Sequence, residues 1–231
     1  LISLCKEILE NSDLEDFAST LLVVGSSVGG MKNSENSFLA NGDYGKIGLL
    51  ENTIVNISLM LKKVFDFYDH ISFSTACTSS TVALGYAYET IKKGLYKNVL
   101  VVGADPLCRL TVGGFASLGI LSKEICKPFD IDRDGINVGE GIGMLLVQDR
   151  ALEREAIELC GVGYSSDAYH ITQPAPEGKG ALLAMKRALL GSGLRPTDID
   201  YINAHGTGTQ ANDSAEAKAI SAPKSLEHMA R

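Results

Sequence analysis

Apolar residues along this chain gather into short runs separated by glycine, serine and charged stretches, and the runs differ in type. Leu21 to Val24 is apolar throughout and stops at the turn Gly25 to Gly30, after which a polar stretch reaches about Gly48. That pattern predicts a buried strand and the loop leaving it. From Leu49 to Phe67 the apolar positions recur at helical spacing, and Ile71 to Phe73 predicts a short strand. A helix is expected from about Thr78 to Lys93, ending near Gly94. Asn98 to Gly103 is again apolar and β-branched, so the local order is strand, helix, strand. Such alternation predicts a parallel α/β sheet with helices on both faces.

The second half repeats that order in outline. Gly141 to Gln148 and Gly161 to Ser165 read as strands, Gly180 to Leu190 as a helix, and Ile199 to Ala204 as a strand that delivers His205. Pro174, Pro176 and Gly178 mark the loop before that helix. Two halves are expected, residues 1–150 and 151–231, alike in element order only.

Composition narrows the class. The 231 residues are 45% hydrophobic and 21% charged, the balance of a soluble globular chain. No run approaches the roughly 18 consecutive apolar residues of a membrane span. Leu1 to Glu10 carries Lys6, Glu7 and Glu10 among its apolar residues, unlike a signal peptide, so a cytoplasmic location is expected. A net charge of −7 argues against a nucleic-acid surface, and the lysine pairs at 62–63 and 92–93 read as solvated helix faces. Five scattered cysteines, Cys5, Cys77, Cys108, Cys126 and Cys160, form no CxxC pair and indicate neither a disulfide framework nor a zinc site.

Three segments can carry chemistry. Ser74-Thr75-Ala76-Cys77-Thr78-Ser79-Ser80 places a cysteine where a strand meets a helix. Unpaired amides and the positive helix end there favour a thiolate and can hold an oxyanion, and small neighbours admit a substrate. Taken alone, a cysteine at such a place is more readily a small core residue than a nucleophile. Asn203-Ala204-His205-Gly206-Thr207-Gly208-Thr209 puts a histidine at a strand end, where open α/β sheets build their sites. An imidazole there serves structure as readily as proton chemistry. Asp213 and Glu216, three apart on the next predicted helix, can both face back toward the His205 turn, with capping and ion pairing as the plainer account. Between these segments, Pro128 to Gly141 interleaves Asp130, Asp132 and Asp134 with turn residues. It lacks the closing glutamate and flanking helix pair of a calcium loop, and is expected to organise an interior hydrogen-bond network.

In order and spacing, Ser74 to Ser80, Pro128 to Gly143 and Asn203 to Thr209 resemble the three central motifs of elongating β-ketoacyl-(acyl carrier protein) synthases. The likeness runs from about Leu21 to Ser225, and Ser165 to His170 is similar to the family's substrate-side loop. The resemblance implies a thiolase-like layered α/β/α/β/α fold of two similar halves, the second incomplete in this chain. It implies Cys77 as the acyl-accepting nucleophile, His205 as the first catalytic histidine, and Asp213, Glu216 and Lys224 as supporting polar groups. The reaction implied is a decarboxylative Claisen condensation with malonyl carried on acyl carrier protein. No metal or bound cofactor is implied, the substrates riding on carrier phosphopantetheine, and the partners implied are the carrier protein and a second copy or a related synthase. Residues 103–119 resemble synthases of aryl-polyene and related specialised pathways.

The departures are specific. The family's opening strand, a loop's worth of chain between Ile220 and Ser221, and a second histidine after Lys224 are not matched, and His228 has the wrong spacing and neighbours. The chain as printed is therefore expected to take an acyl group at Cys77 and to condense poorly. Two other readings stay open: a non-condensing partner of chain-length-factor type, in which the cysteine is typically replaced, and a CoA-dependent thiolase.

Overall fold

The computed structural model describes residues 1–12, 14, 17–43, 45, 47–149 and 156–222. Their contacts divide them into two compact units, one of Leu1–Gly113 with Gly139–Ile157, the other of Gly114–Val138 with the described part of Glu158–Arg231.

In chain order the elements of the first unit are α1 (Ile2–Glu10), β1 (Leu21–Gly25), α2 (Met31–Asn41), α3 (Val55–Val64), β2 (Asp69–Phe73), α4 (Ser79–Lys92), β3 (Asn98–Asp105), α5 (Arg109–Ser117), which continues past Gly113 into the second unit, and β4 (Gly141–Gln148). The strands form one sheet in the order β2-β1-β3-β4. β1 runs parallel to β2 and β3, with Gly25 opposite Phe73 on one side and Gly103 on the other, so these strand ends share one edge.

The two apolar runs are continuous because both faces of the sheet are covered. Neighbouring side chains of a strand point to opposite faces. Leu22, Val24, Leu100 and Val102 thus meet Cys5 and Leu9 of α1 and Leu61 of α3, together with Phe67 and Met144. Leu21, Val23, Val99 and Val101 meet Ala83 and Ala87 of α4 on the other face. Each valine or leucine buried in this way contributes about 1.5–3 kcal/mol.

Three expectations need correction in this unit. β4 is antiparallel, with Asp105 of β3 opposite its first residue, Gly141. The chain returns to the edge where β3 ended instead of crossing back over the sheet, and a strand starting there must run the other way. The polar stretch after Gly30 contains α2, whose one buried residue is Ser34. α5 buries none of its side chains, so neither helix has the apolar stripe that periodicity detects. The helix expected from Leu49 is confined to α3.

The second unit contains α6 (Lys179–Ser192), a short 3-10 turn at Pro196–Asp198 and α7 (Gln210–Ile220), with α6 and α7 in contact. The strands expected at 161–165 and 199–204 are not in a ladder among the described residues. Ile199 is extended, at φ −101° and ψ 114°, but an extended segment becomes a strand only beside a partner. The 161–165 segment instead lies along α6, where the Ser165 hydroxyl donates to the Gly180 carbonyl at 2.6 Å and Arg187 donates to the Tyr164 carbonyl.

Candidate active site

Cys77 stands one residue before Thr78, the N-cap of α4, in the turn that leaves β2. The turn is sharp, since Ala76 has φ +53°, a left-handed conformation that costs a non-glycine residue energy. Its carbonyl is held by three donors: the Ser79 hydroxyl at 2.6 Å, the Ser79 amide at 3.0 Å and the Ser27 hydroxyl at 3.0 Å. The Thr75 amide donates to the Ser79 hydroxyl oxygen at 2.9 Å, and the Thr78 amide and hydroxyl both donate to the Thr75 carbonyl. Ser79 is buried at the floor of this turn, and Cys77 is exposed above it.

Glycine lets the helix start reach the sheet edge. A Cβ on Gly25 would lie 2.4 Å from the Ser79 carbonyl oxygen, and one on Gly103 would lie 2.5 Å from the Ser80 hydroxyl. The two glycines are register partners; a side chain at Gly25 would meet the α4 backbone and push the helix start, and with it Cys77, off the strand ends, whereas one at Gly103 would first displace the Ser80 side chain.

Among the other cysteines, Cys5 and Cys108 are buried, Cys126 is half-buried and Cys160 is exposed. Burial pushes the Cys5 thiol up to about 11, which leaves it protonated and unreactive at neutral pH.

His205 is exposed at the start of a turn whose backbone is fixed by α7. The Glu216 carboxylate accepts the His205 amide at 2.7 Å on one oxygen and the Gly206 amide at 2.9 Å on the other. Asp213, 1% exposed, accepts the Gly208 amide at 3.2 Å and the Phe129 amide at 2.7 Å. Arg133 lies 3.7 Å from the same carboxylate and donates to the carbonyls of Thr209, Gln210 and Asp130 and to the Ser214 hydroxyl. A buried carboxylate needs such partners. A Cβ on Gly208, at φ +74°, would sit 2.5 Å from the Cys126 sulfur. The loop from Pro128 and the turn from His205 are therefore one hydrogen-bonded block. Asp134 takes part through the Ser122 hydroxyl, which with the Lys123 amide holds its carboxyl below the ordinary range.

Ser165 to His170 is organised by Asp167, which accepts the Ala175 amide at 2.8 Å and the Tyr169 amide at 3.2 Å. The Ala175 bond first, and then the Tyr169 bond, hold this carboxyl below its usual range. Lys224 and His228 lie outside the described residues. No group of three or more histidine, cysteine, aspartate or glutamate residues is placed to hold a metal ion, and no helix is long and apolar enough to cross a membrane, among the described residues.

Sequence reasoning passed over several carboxylates. Asp105, at the end of β3, accepts the Ser26 hydroxyl at 2.8 Å and the Ser27 and Val28 amides at 2.7 and 3.1 Å. Glu35 accepts the Arg109 and Leu110 amides at 2.9 and 2.7 Å and so caps α5, the Arg109 amide being the main reason its carboxyl lies below the usual range. Glu140 accepts the Leu107 amide at 3.0 Å. Asp105 alone had a readable signal, its place at the C-terminal end of a buried strand.

Two family models match the chain in succession, the β-ketoacyl synthase N-terminal domain over residues 1–152 and the β-ketoacyl synthase C-terminal domain over residues 156–227. A mitochondrial 3-oxoacyl-(acyl-carrier-protein) synthase from Arabidopsis thaliana is 44% identical over 160 residues, 63% of this chain and 34% of that protein. A 3-oxoacyl-(acyl-carrier-protein) synthase 2 from Staphylococcus aureus is 38% identical over 157 residues, 63% of this chain and 39% of that protein. In structure, a ketosynthase from Xenorhabdus doucetiae, solved in complex with its chain length factor, covers 96% of this chain with a TM-score of 0.84 and 34% identity. A β-ketoacyl synthase from Burkholderia phymatum covers 96% at a TM-score of 0.83 and 29% identity. The chain spans 57% and 59% of those two structures.

Proposed function

The chain belongs to the β-ketoacyl synthase family and has its thiolase-like layered α/β fold, and on that premise we propose that the full protein elongates acyl chains by decarboxylative condensation. The observation that carries the reading is Cys77, exposed in a strained turn between the end of β2 and a helix start. The partial positive charge of that helix start favours an anionic sulfur. Cys77 attacks the thioester of an acyl group on carrier phosphopantetheine, the tetrahedral oxyanion collapses, and the carrier thiol leaves with a proton. Malonyl on a second carrier then loses CO₂, and the carbanion attacks the acyl-Cys77 carbonyl and expels the cysteine sulfur. His205 donates a hydrogen bond to the enolate oxygen formed when CO₂ departs.

Asp213 and Glu216 support that imidazole by fixing the backbone on either side of it, and Lys224 joins the supporting group by resemblance. The carrier protein is the partner, in a cytoplasmic setting where the scattered cysteines remain thiols. The protein pairs with a second copy or a related synthase, a reading supported by the relative solved with its chain length factor. The elongation is of fatty-acid or polyketide type, and the resemblance of residues 103–119 favours the aryl-polyene branch among these.

Retention of Cys77 weighs against a non-condensing partner subunit. The test is to incubate full-length protein with acyl- and malonyl-carrier protein and weigh the carrier products. A carrier loaded with a β-ketoacyl chain two carbons longer, with CO₂ released, supports the proposal. Acyl-enzyme without elongation, or thiolysis by free CoA, contradicts it.

A further inference from the structure

Asp105, Ser27 and Ala76 lie in one line of hydrogen bonds that ends beside Cys77. The Asp105 carboxylate oxygen gathers the Ser26 hydroxyl and the Ser27 and Val28 amides, at 2.8, 2.7 and 3.1 Å. The Ser26 hydroxyl oxygen, itself buried, accepts the Gly29 amide at 2.8 Å. So anchored, the turn after β1 presents the Ser27 hydroxyl to the Ala76 carbonyl at 3.0 Å. Ala76 is the left-handed residue directly before the cysteine. A strained conformation persists only where its surroundings over-determine it. Ser79 supplies two of the donors on this carbonyl from within the same turn, whereas Ser27 supplies the third from the turn that follows β1. Ser27 is thus the link that ties the strained turn to the end of the sheet, and Asp105 is what aims it.

We propose that Asp105 and Ser27 are positioning residues for Cys77, holding the Ala76 turn so that the thiol meets an acyl thioester in the reactive geometry. The proposal rests on the reading of Cys77 as an acyl acceptor, and the experiment separates the two. Full-length wild-type protein and the variants Asp105→Ala, Asp105→Asn, Ser27→Ala and Ser27→Thr are treated with acyl-carrier protein. Acylation of the Cys77 peptide is followed by mass. In parallel, limiting iodoacetamide gives the ratio of Cys77 to Cys160 labelling, Cys160 being an exposed internal control that a general loosening of the fold would not spare.

Asp105→Ala slows acylation about 10- to 100-fold, the cost of a small misplacement of a reacting group. Ser27→Ala, which removes one hydrogen bond from an exposed residue, slows it roughly threefold to tenfold. Asp105→Asn, keeping an acceptor oxygen, falls between Asp105→Ala and wild type, and Ser27→Thr, keeping the hydroxyl, stays within about twofold. The Cys77 to Cys160 labelling ratio falls in the same order. If Asp105→Ala does not fold, the Ser27 pair decides. Wild-type rates and ratios in Ser27→Ala overturn the proposal. Failure of wild-type protein to acylate sinks the functional reading instead, and the labelling ratio still decides whether Asp105 and Ser27 position the thiol.

Discussion

The turn that carries Cys77 and the turn that carries His205 are both short, glycine-lined and followed by a helix, yet they are held by different forces. Beneath Cys77 lies a sheet whose central strands, Leu21 to Val24 and Val99 to Val102, are at most 4% exposed and are packed on both faces by helices. Beneath His205 the buried residues of the unit, among the described ones, are Gly135, Ala175, Gly178, Gly208, Asp213, Ala215 and Ala219, and the order comes from Glu216, Asp213 and Arg133 reaching backbone groups of three short segments. Apolar burial is non-directional, so it supplies a platform but no fine placement. Charge-assisted hydrogen bonds are directional and supply placement at the cost of desolvating each partner. On the proposed function, the acyl acceptor Cys77 is thus set on a platform, and His205, the proposed donor to the enolate oxygen, is set in a lattice of polar contacts.

The largest effect expected from that contrast is chemical. Cys77→Ser in the full-length protein keeps the platform and replaces the sulfur with a neutral hydroxyl lacking a base, so condensation falls on the order of 10⁴-fold or more. Intact mass after exposure to acyl-carrier protein shows no acyl adduct. Elongation at the wild-type rate would remove the cysteine from the mechanism.

Stability comes next and differs in kind between the two regions. Asp213→Ala strands the Arg133 charge and the Gly208 and Phe129 amides, for about 3–5 kcal/mol. Leu100→Ala leaves a cavity between the strands and α1, for about 2–5 kcal/mol. The contrast sharpens with shape-keeping swaps: Leu100→Met costs under about 1.5 kcal/mol, whereas Asp213→Leu recovers nothing. Urea melts of the four variants check this. A stable Asp213→Leu protein would show that the polar block is incidental.

The difference in forces also explains what could be read from the sequence. β1, β3 and α4 were legible because two-sided burial writes unbroken apolar runs and a helix closed at Gly94. Cys77 was legible through its motif and its place between β2 and α4. Asp213 and Glu216 were anticipated facing the His205 turn because carboxylates three apart share a helix side, and their amide partners lie there. α2 and α5 were not legible, since helices that bury one serine or nothing leave no stripe. Extended segments at 161–165 and 199–204 carry strand-like composition, but pairing is a tertiary fact. Arg133 looks like an ordinary surface charge in the sequence, and the strand-end place of Asp105 marks the residue without its partners, because both bond to groups dozens of residues away.

The smallest effect is electrostatic and exposed. Arg195 holds the Asp198 carboxyl down to about 2, through side-chain bonds and its amide. A lowered carboxyl stabilises the fold above the unfolded value near 3.8, and the contribution is lost as pH falls toward 2. Asp198→Asn should lower Tm by about 1 °C near neutral pH, the gap to wild type closing below pH ~3.8. A gap that widened in acid would contradict the assignment.

The division of labour between the two turns is tested most directly by His205→Ala in the full-length enzyme, with both half-reactions followed in one sample. If that division holds, acyl-Cys77 still forms, seen as an intact mass shift, while CO₂ release from malonyl-carrier protein drops about 10²–10³-fold, the usual cost of losing one donor to a developing oxyanion. A variant that decarboxylates normally but cannot be acylated would contradict it.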